Sequence, residues 1–149
     1  MLQIRKAEPA DRPDWERLWR ENCLHFGAEG MSDAVIDALW QRILEGSHPM
    51  YAWLLSDGEE TVGLAHAIIH PHTFTLRSVC YLEDLWVTPS ARGRGMATAF
   101  INHLSKVGKS EGWRRIYWET GLDNEAGQRL YERIAKRRAV AIYDLDPGA

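Results

Sequence analysis

Tyr81-Leu-Glu-Asp-Leu-Trp-Val-Thr-Pro-Ser-Ala-Arg-Gly-Arg-Gly-Met-Ala97 carries an extended apolar run straight into a glycine-rich, arginine-bearing turn. A helical pattern follows at once, with Met96, Phe100, Ile101, Leu104 and Val107 on one face. A strand that empties into a helix N-terminus leaves several backbone N–H groups unpaired and pointing the same way. Such a nest suits an anionic ligand, most often phosphate or pyrophosphate.

Three phosphate motifs compete for this turn. A P-loop needs G-x-x-x-x-G-K-[ST]. Gly108-Lys109-Ser110 supplies its end, but His103 occupies the first glycine position and the residues follow a helix instead of opening one. A dinucleotide fingerprint G-x-G-x-x-G would begin at Gly93 and Gly95, but its third glycine position is Thr98 and no βαβ pair precedes it. The third pattern, R-x-x-G-x-[GA], is met by Arg92, Gly95 and Ala97. There Gly93 and Gly95 permit close backbone approach, and Arg92 and Arg94 can add charge-assisted contacts.

Working outward, the rest of the chain reads as alternating blocks of two periods. Leu2–Lys6 alternates like a short strand. Asp11 offers an N-cap before a helix carrying Trp15, Leu18, Trp19, Cys23 and Phe26, ended by Gly27 and Gly30. Ser32 can cap a second helix through Val35, Ile36, Leu39, Trp40 and Ile43, closed by Gly46 and Pro49. Strands at 51–55 and 62–69 flank the hairpin pair Asp57-Gly58. The strand at 78–88 and the helix at 95–107 come next, then a strand at 115–120, a helix at 124–134 and a last strand at 139–145. The layout is α+β with a central sheet.

The 149 residues are expected to form one domain, 1–149, burying roughly 70% of the unfolded surface. A formal net charge of −3 argues against a cationic nucleic-acid binder. Cys23 and Cys80 make neither a disulfide scaffold nor a C-x-x-C metal site, and are read as reduced core residues. His66, His70 and His72 fall on one side of an unbroken strand, but Pro71 interrupts it and nothing is spaced to complete a metal site, so no metal is expected. With no apolar run near the roughly 20 residues of a membrane span and no signal-peptide pattern, the expectation is no membrane contact and a cytoplasmic location.

The turn together with Asn124-Glu-Ala-Gly-Gln-Arg-Leu-Tyr131 resembles the GNAT N-acetyltransferase superfamily, whose acyl-CoA motif and N-x-x-A-x-x-L-Y helix occur in this order. Tyr81-Leu-Glu-Asp-Leu is similar to the matching strand of the diamine (spermidine/spermine) acetyltransferases and of the yeast histone/polyamine-type acetyltransferases. The resemblance covers roughly residues 78–143. It implies the GNAT fold, a central, mostly antiparallel twisted sheet flanked by about four helices, and acetyl-CoA as co-substrate. It implies main-chain pairing of the pantetheine arm with Leu85, Trp86 and Val87. Phosphates would lie on Arg92, Gly93, Arg94, Gly95, Met96, Ala97 and Thr98, with Asn124, Gly127 and Tyr131 also at the cofactor. Asn124 is placed to cap its helix or to contact the pantetheine, roles that are compatible.

Acetyl transfer to an amine needs a base, because an alkylammonium with a pKa near ~10 must lose a proton before it attacks. Unbroken alternation puts Glu83 with Tyr81, Leu85 and Val87, and Asp84 with Leu82 and Trp86. A carboxylate on a largely apolar strand is desolvated, which raises its pKa. Glu83 is therefore the expected base, the role of the matching glutamate in the diamine acetyltransferases. The alternatives are a Glu83 that only binds a cationic acceptor or pairs with an arginine, and Asp84 as the base. Tyr131 matches the family tyrosine that can protonate the CoA sulfur, although a tyrosine beside Leu130 also suits a helix core.

Two departures stand out. Ala135-Lys136 replaces the Gly-Phe that many members carry, and Gly127 replaces the motif alanine. These departures are expected to leave the CoA site intact and bear on the last strands, the acceptor pocket and any homodimer built through that edge. The expected activity is acetyl-CoA-dependent N-acetylation of a small primary amine, such as a polyamine, a lysine-like compound or an amino acid, by direct attack in a ternary complex. A protein lysine or N-terminal acetyltransferase and a non-catalytic acyl-CoA-binding module are the alternatives.

Overall fold

A computed structural model describes residues 1–28 and 30–148. Glu29 and Ala149, the last position of the expected domain, lie outside the described residues. The chain divides into two compact units, Met1–Glu119 and Thr120–Ala149.

The first unit runs β1 (Leu2–Lys6), α1 (Arg12–His25), α2 (Asp33–Glu45), β2 (Met50–Asp57), β3 (Glu60–Pro71), β4 (Ser78–Val87), α3 (Met96–Glu111) and β5 (Ile116–Tyr117). The sheet order is β1-β2-β3-β4-β5, antiparallel throughout except for the parallel pair β4–β5. A parallel pair requires a crossover connection, which α3 supplies. Gly58 turns the β2–β3 hairpin at φ 65°, a conformation that costs a residue without a Cβ nothing.

The helices follow their apolar spacing. In α1, Trp15, Leu18, Trp19 and Cys23 are buried at the spacing of one helix face. In α2, Ile36, Trp40 and Ile43 are buried, and Ser32 Oγ accepts from the Val35 N–H at 3.2 Å. Asp11 does not cap α1 with its side chain. Its carboxylate instead takes both Arg5 guanidinium nitrogens (2.7 and 2.9 Å) and the Glu8 N–H (2.7 Å). A bidentate charged pair outcompetes a single neutral donor.

One sheet face, with Ala52, Leu54, Leu64 and Trp86, packs against α1 and α2 in an aromatic-rich core. The other carries Gly63, whose position leaves the space taken by the Phe100 ring of α3, an added Cβ standing only 2.7 Å from that ring. Cys23 and Cys80 are both buried and free, and burial pushes the Cys80 thiol up to about 12.

The second unit holds α4 (Glu125–Ile134). Asn124 caps it, accepting from the Gly127 N–H at 3.1 Å and donating to Thr120 Oγ1 at 2.8 Å. The expected strand at 139–145 is not formed. This unit contains no other strand to pair with among its described residues, and an unpartnered strand has no ladder to hold it. Val140, Ile142, Tyr143 and Leu145 are accordingly exposed. The strand expected at 115–120 is likewise reduced to the two residues of β5.

Candidate active site

The strand carrying Glu83 is not regular. In the β3–β4 ladder Ala67 pairs with Leu82 and His66 with Asp84, so Glu83 is an extra residue without a partner. This β-bulge breaks the alternation expected from the sequence. Directly opposed residues share a sheet face, so Tyr81 joins Asp84 and Trp86, opposite Ile68, His66 and Leu64. Leu82 and Leu85 lie on the other face. The assignments of Tyr81 with Leu85 and of Leu82 with Asp84 are both corrected: one inserted residue reverses the parity of all that precede it.

The bulge brings both carboxylates to one cavity of about 230 Å³, lined also by His66 and walled by Trp19, Leu39, Met50 and Ile68. Glu83 keeps solvent access, yet partial burial, reinforced by the negative Asp84, raises its pKa above the ordinary carboxylate range. Nearby, Tyr81 stacks on Tyr117 with ring centroids 4.8 Å apart. Burial, with Glu119 and Glu83 close by, pushes its phenol up to about 12.

Behind Asp84 lies a buried polar chain that sequence reading did not anticipate. Trp15 Nε1 donates to His66 Nε2 at 2.9 Å, and His66 Nδ1 lies 3.0 Å from Asp84 Oδ2. An indole nitrogen can only donate, so Nε2 must accept and Nδ1 carries the proton given to Asp84. His70 goes elsewhere, bonding Tyr117 Oη at 3.0 Å, and His72 packs its ring edge against Phe74. Among the described residues, no three His, Cys, Asp or Glu side chains converge on a metal position. His66, Trp15 and Asp84 are 51 and 18 residues apart in pairs, so no local spacing could have flagged them.

Past Tyr81 the two parallel strands part. Only Cys80–Ile116 and Tyr81–Tyr117 are paired, so among the described residues no strand covers the outer edge of Leu85, Trp86 and Val87. Such an edge offers main-chain donors and acceptors to an extended amide-bearing ligand. The Trp86 side chain faces away, into the α1–α2 core, where its Nε1 and the Thr88 hydroxyl both donate to Glu21 (2.8 and 2.9 Å).

The turn into α3 is glycine-lined, and its helix N-terminus carries no side-chain cap. Gly93 and Gly95 both adopt φ 78°, with open space where a Cβ would sit. Gly95 N-caps α3 without any side-chain cap, so the first-turn N–H groups of Met96, Ala97 and Thr98 remain without intrahelical acceptors. Arg92 is committed locally: its Nε donates to the Val87 carbonyl at 2.9 Å and its guanidinium lies 4.5 Å over the Trp86 ring. Arg94 makes an exposed pair with Asp57 at 3.2 Å, weak enough to exchange for a phosphate. Open edge and uncapped, glycine-lined turn together suit a ligand with amides at one end and phosphates at the other.

In the second unit, Tyr131 is half-buried on α4, and burial raises its pKa. Gly127 has a local reason: a Cβ there would stand 2.8 Å from Asn124 Cγ, against the capping amide. The alanine of the family motif would crowd this cap.

The acetyltransferase (GNAT) family pattern matches residues 12–135, most of the chain. The D-amino-acid N-acetyltransferase HPA3 of Saccharomyces cerevisiae is 27% identical over 144 residues, covering 95% of this chain and 89% of that protein. The human spermidine/spermine N(1)-acetyltransferase-like protein 1 is 26% identical over 140 residues, covering 87% of this chain and 20% of that protein. Aminoglycoside N-acetyltransferase AAC(6')-Iy, solved in complex with CoA, shares the fold at a TM-score of 0.83 and 21% identity, covering 99% of this chain and 95% of that one. The chain belongs to the GNAT acetyltransferase family and is an acetyl-CoA-dependent N-acetyltransferase.

Proposed function

We propose that the cavity beside Glu83 receives a small primary amine, which is acetylated by direct attack within a ternary complex. The observation that carries this reading is the β4 bulge, which presents Glu83, its pKa raised, at a cavity of about 230 Å³. That volume suits a small amine or the end of a longer one. Both cysteine thiols are buried and raised in pKa, unsuited to carrying an acyl group, which favours direct attack.

Acetyl-CoA supplies the activated acetyl thioester. Main-chain groups of Leu85, Trp86 and Val87 pair with its arm, one N–H stabilising the carbonyl oxygen as charge develops. Gly93–Thr98 hold the phosphates. Glu83 removes a proton from the bound ammonium, directly or through water, freeing the nitrogen lone pair. Its raised pKa narrows the gap to an amine near ~10. Tyr131 returns a proton to the departing thiolate. That assignment rests on its motif position and on the burial that keeps its phenol protonated. Because the family match crosses both units, we take them to act as one catalytic domain.

Thiol release from acetyl-CoA is the test, with a panel of polyamines, lysine, D- and L-amino acids, an aminoglycoside and a histone-tail peptide. Release above a no-acceptor control with a small amine supports the reading. Release with the peptide alone replaces it by a protein acetyltransferase. Flat traces despite CoA binding favour the binding module.

A further inference from the structure

Resting on the reading of the cavity as the acceptor site, we infer that Asp84 anchors the acceptor's ammonium group and that His66, oriented by Trp15, is the positioning residue that holds Asp84 for it. The chain Trp15–His66–Asp84 is directional, because the indole N–H allows His66 only one way to bond both neighbours. His66 is 3% exposed and its ring is wedged edge-on against Trp19 at 4.9 Å, so it cannot turn away. The bond from His66 Nδ1 occupies Asp84 Oδ2, and among the described residues no hydrogen bond is made to Oδ1. Asp84 thus presents one oxygen to a cavity that Glu83 and His66 also line and whose apolar walls are Trp19, Leu39, Met50 and Ile68. An alkylammonium matches both halves: its donors meet the carboxylate and its carbon chain meets the walls. A division of labour follows. Asp84, held from behind, binds the cation, while Glu83, unpaired in the bulge, is free to take the proton.

Nitrogen-15 spectra of histidine in the full chain read the arrangement without turnover. The expected spectrum shows His66 protonated at Nδ1 and bare at Nε2, with Nδ1 shifting as n-butylammonium is added. Protonation at Nε2, or no response to butylammonium at His66, overturns the inference.

Kinetics then test the coupling. Asp84→Asn should raise the acceptor KM by roughly tenfold or more, the worth of a charge-assisted hydrogen bond, and leave the acetyl-CoA KM in place. Trp15→Phe, which frees Nε2 from its donor, should raise the acceptor KM several-fold, and should add nothing in the Asp84→Asn background. Additive effects, or equal changes in both KM values, would mean that Trp15 only supports packing and would sink the positioning role.

Trp15 is fully buried, so the test has a second arm in His66→Leu and His66→Asn. Asparagine restores a donor near the Nδ1 position and should recover part of the affinity that leucine loses; equal losses count against the inference. A panel with no turnover, beside a butylammonium response at His66, would instead refute the catalytic reading while the anchor stands.

Discussion

Glu83 shows how much one residue's surroundings decide. Its raised pKa means that the folded protein disfavours the ionised form that the proposed base would need. For an acid with a folded pKa above its unfolded value, stability is greatest at low pH and is lost as pH rises through the folded pKa. Glu83→Gln should therefore raise Tm at pH 7, with the gain vanishing in acid where Glu83 is protonated. Turnover should fall sharply with the acetyl-CoA KM unchanged. In the parent enzyme kcat/KM should decline on acidification at a pH above that of an ordinary carboxylate. A variant with near-normal turnover, or one that melts lower at pH 7, would contradict the assignment. Tyr131→Phe should slow turnover by ~10²–10⁴, the range for a lost general acid; little change in turnover would return Tyr131 to a packing role.

At the scale of elements, the bulge in β4 places Glu83 at the cavity, and α3 packs closely on β3. Gly63 allows that approach, since a side chain there would meet the Phe100 ring. Gly63→Ala should cost about 1–3 kcal/mol, the usual penalty for overpacking a rigid core. It is measured by denaturant unfolding; an unchanged midpoint would show that α3 can yield. The turn is a separate case, because Gly95 has open space around it but a left-handed backbone. Gly95→Ala should cost roughly 1–2 kcal/mol from backbone strain alone and raise the acetyl-CoA KM more than the acceptor KM. Equal effects on both would move the phosphates elsewhere. The helices, the hairpin and the Ser32 cap were legible because each depends on neighbours within a few residues. The bulge was not, since no glycine or proline marks Glu83 and the extra residue exists only relative to β3. The strand at 139–145 failed for the converse reason: its alternation is local, but a strand needs a partner.

For the whole molecule, binding should couple to folding. Acetyl-CoA at about 100 times its Kd should add about 2.7 kcal/mol of stability if it binds only the folded chain. Thermal melts with and without ligand measure this, and no rise in Tm would contradict a preformed cradle. The amino-acid sequence by itself determined the class of fold, the family and the glycine turn. Helical period, hairpin residues and motif spacing are short-range properties that chain order preserves. Only the tertiary structure decided that Glu83 and Asp84 share a cavity, that Arg92 is bound back to the end of β4, and that Trp15 and His66 are hydrogen-bonded in line with Asp84. The hydrogen bonds among them join residues up to 51 positions apart, and their register depends on strand pairing, which no single segment encodes.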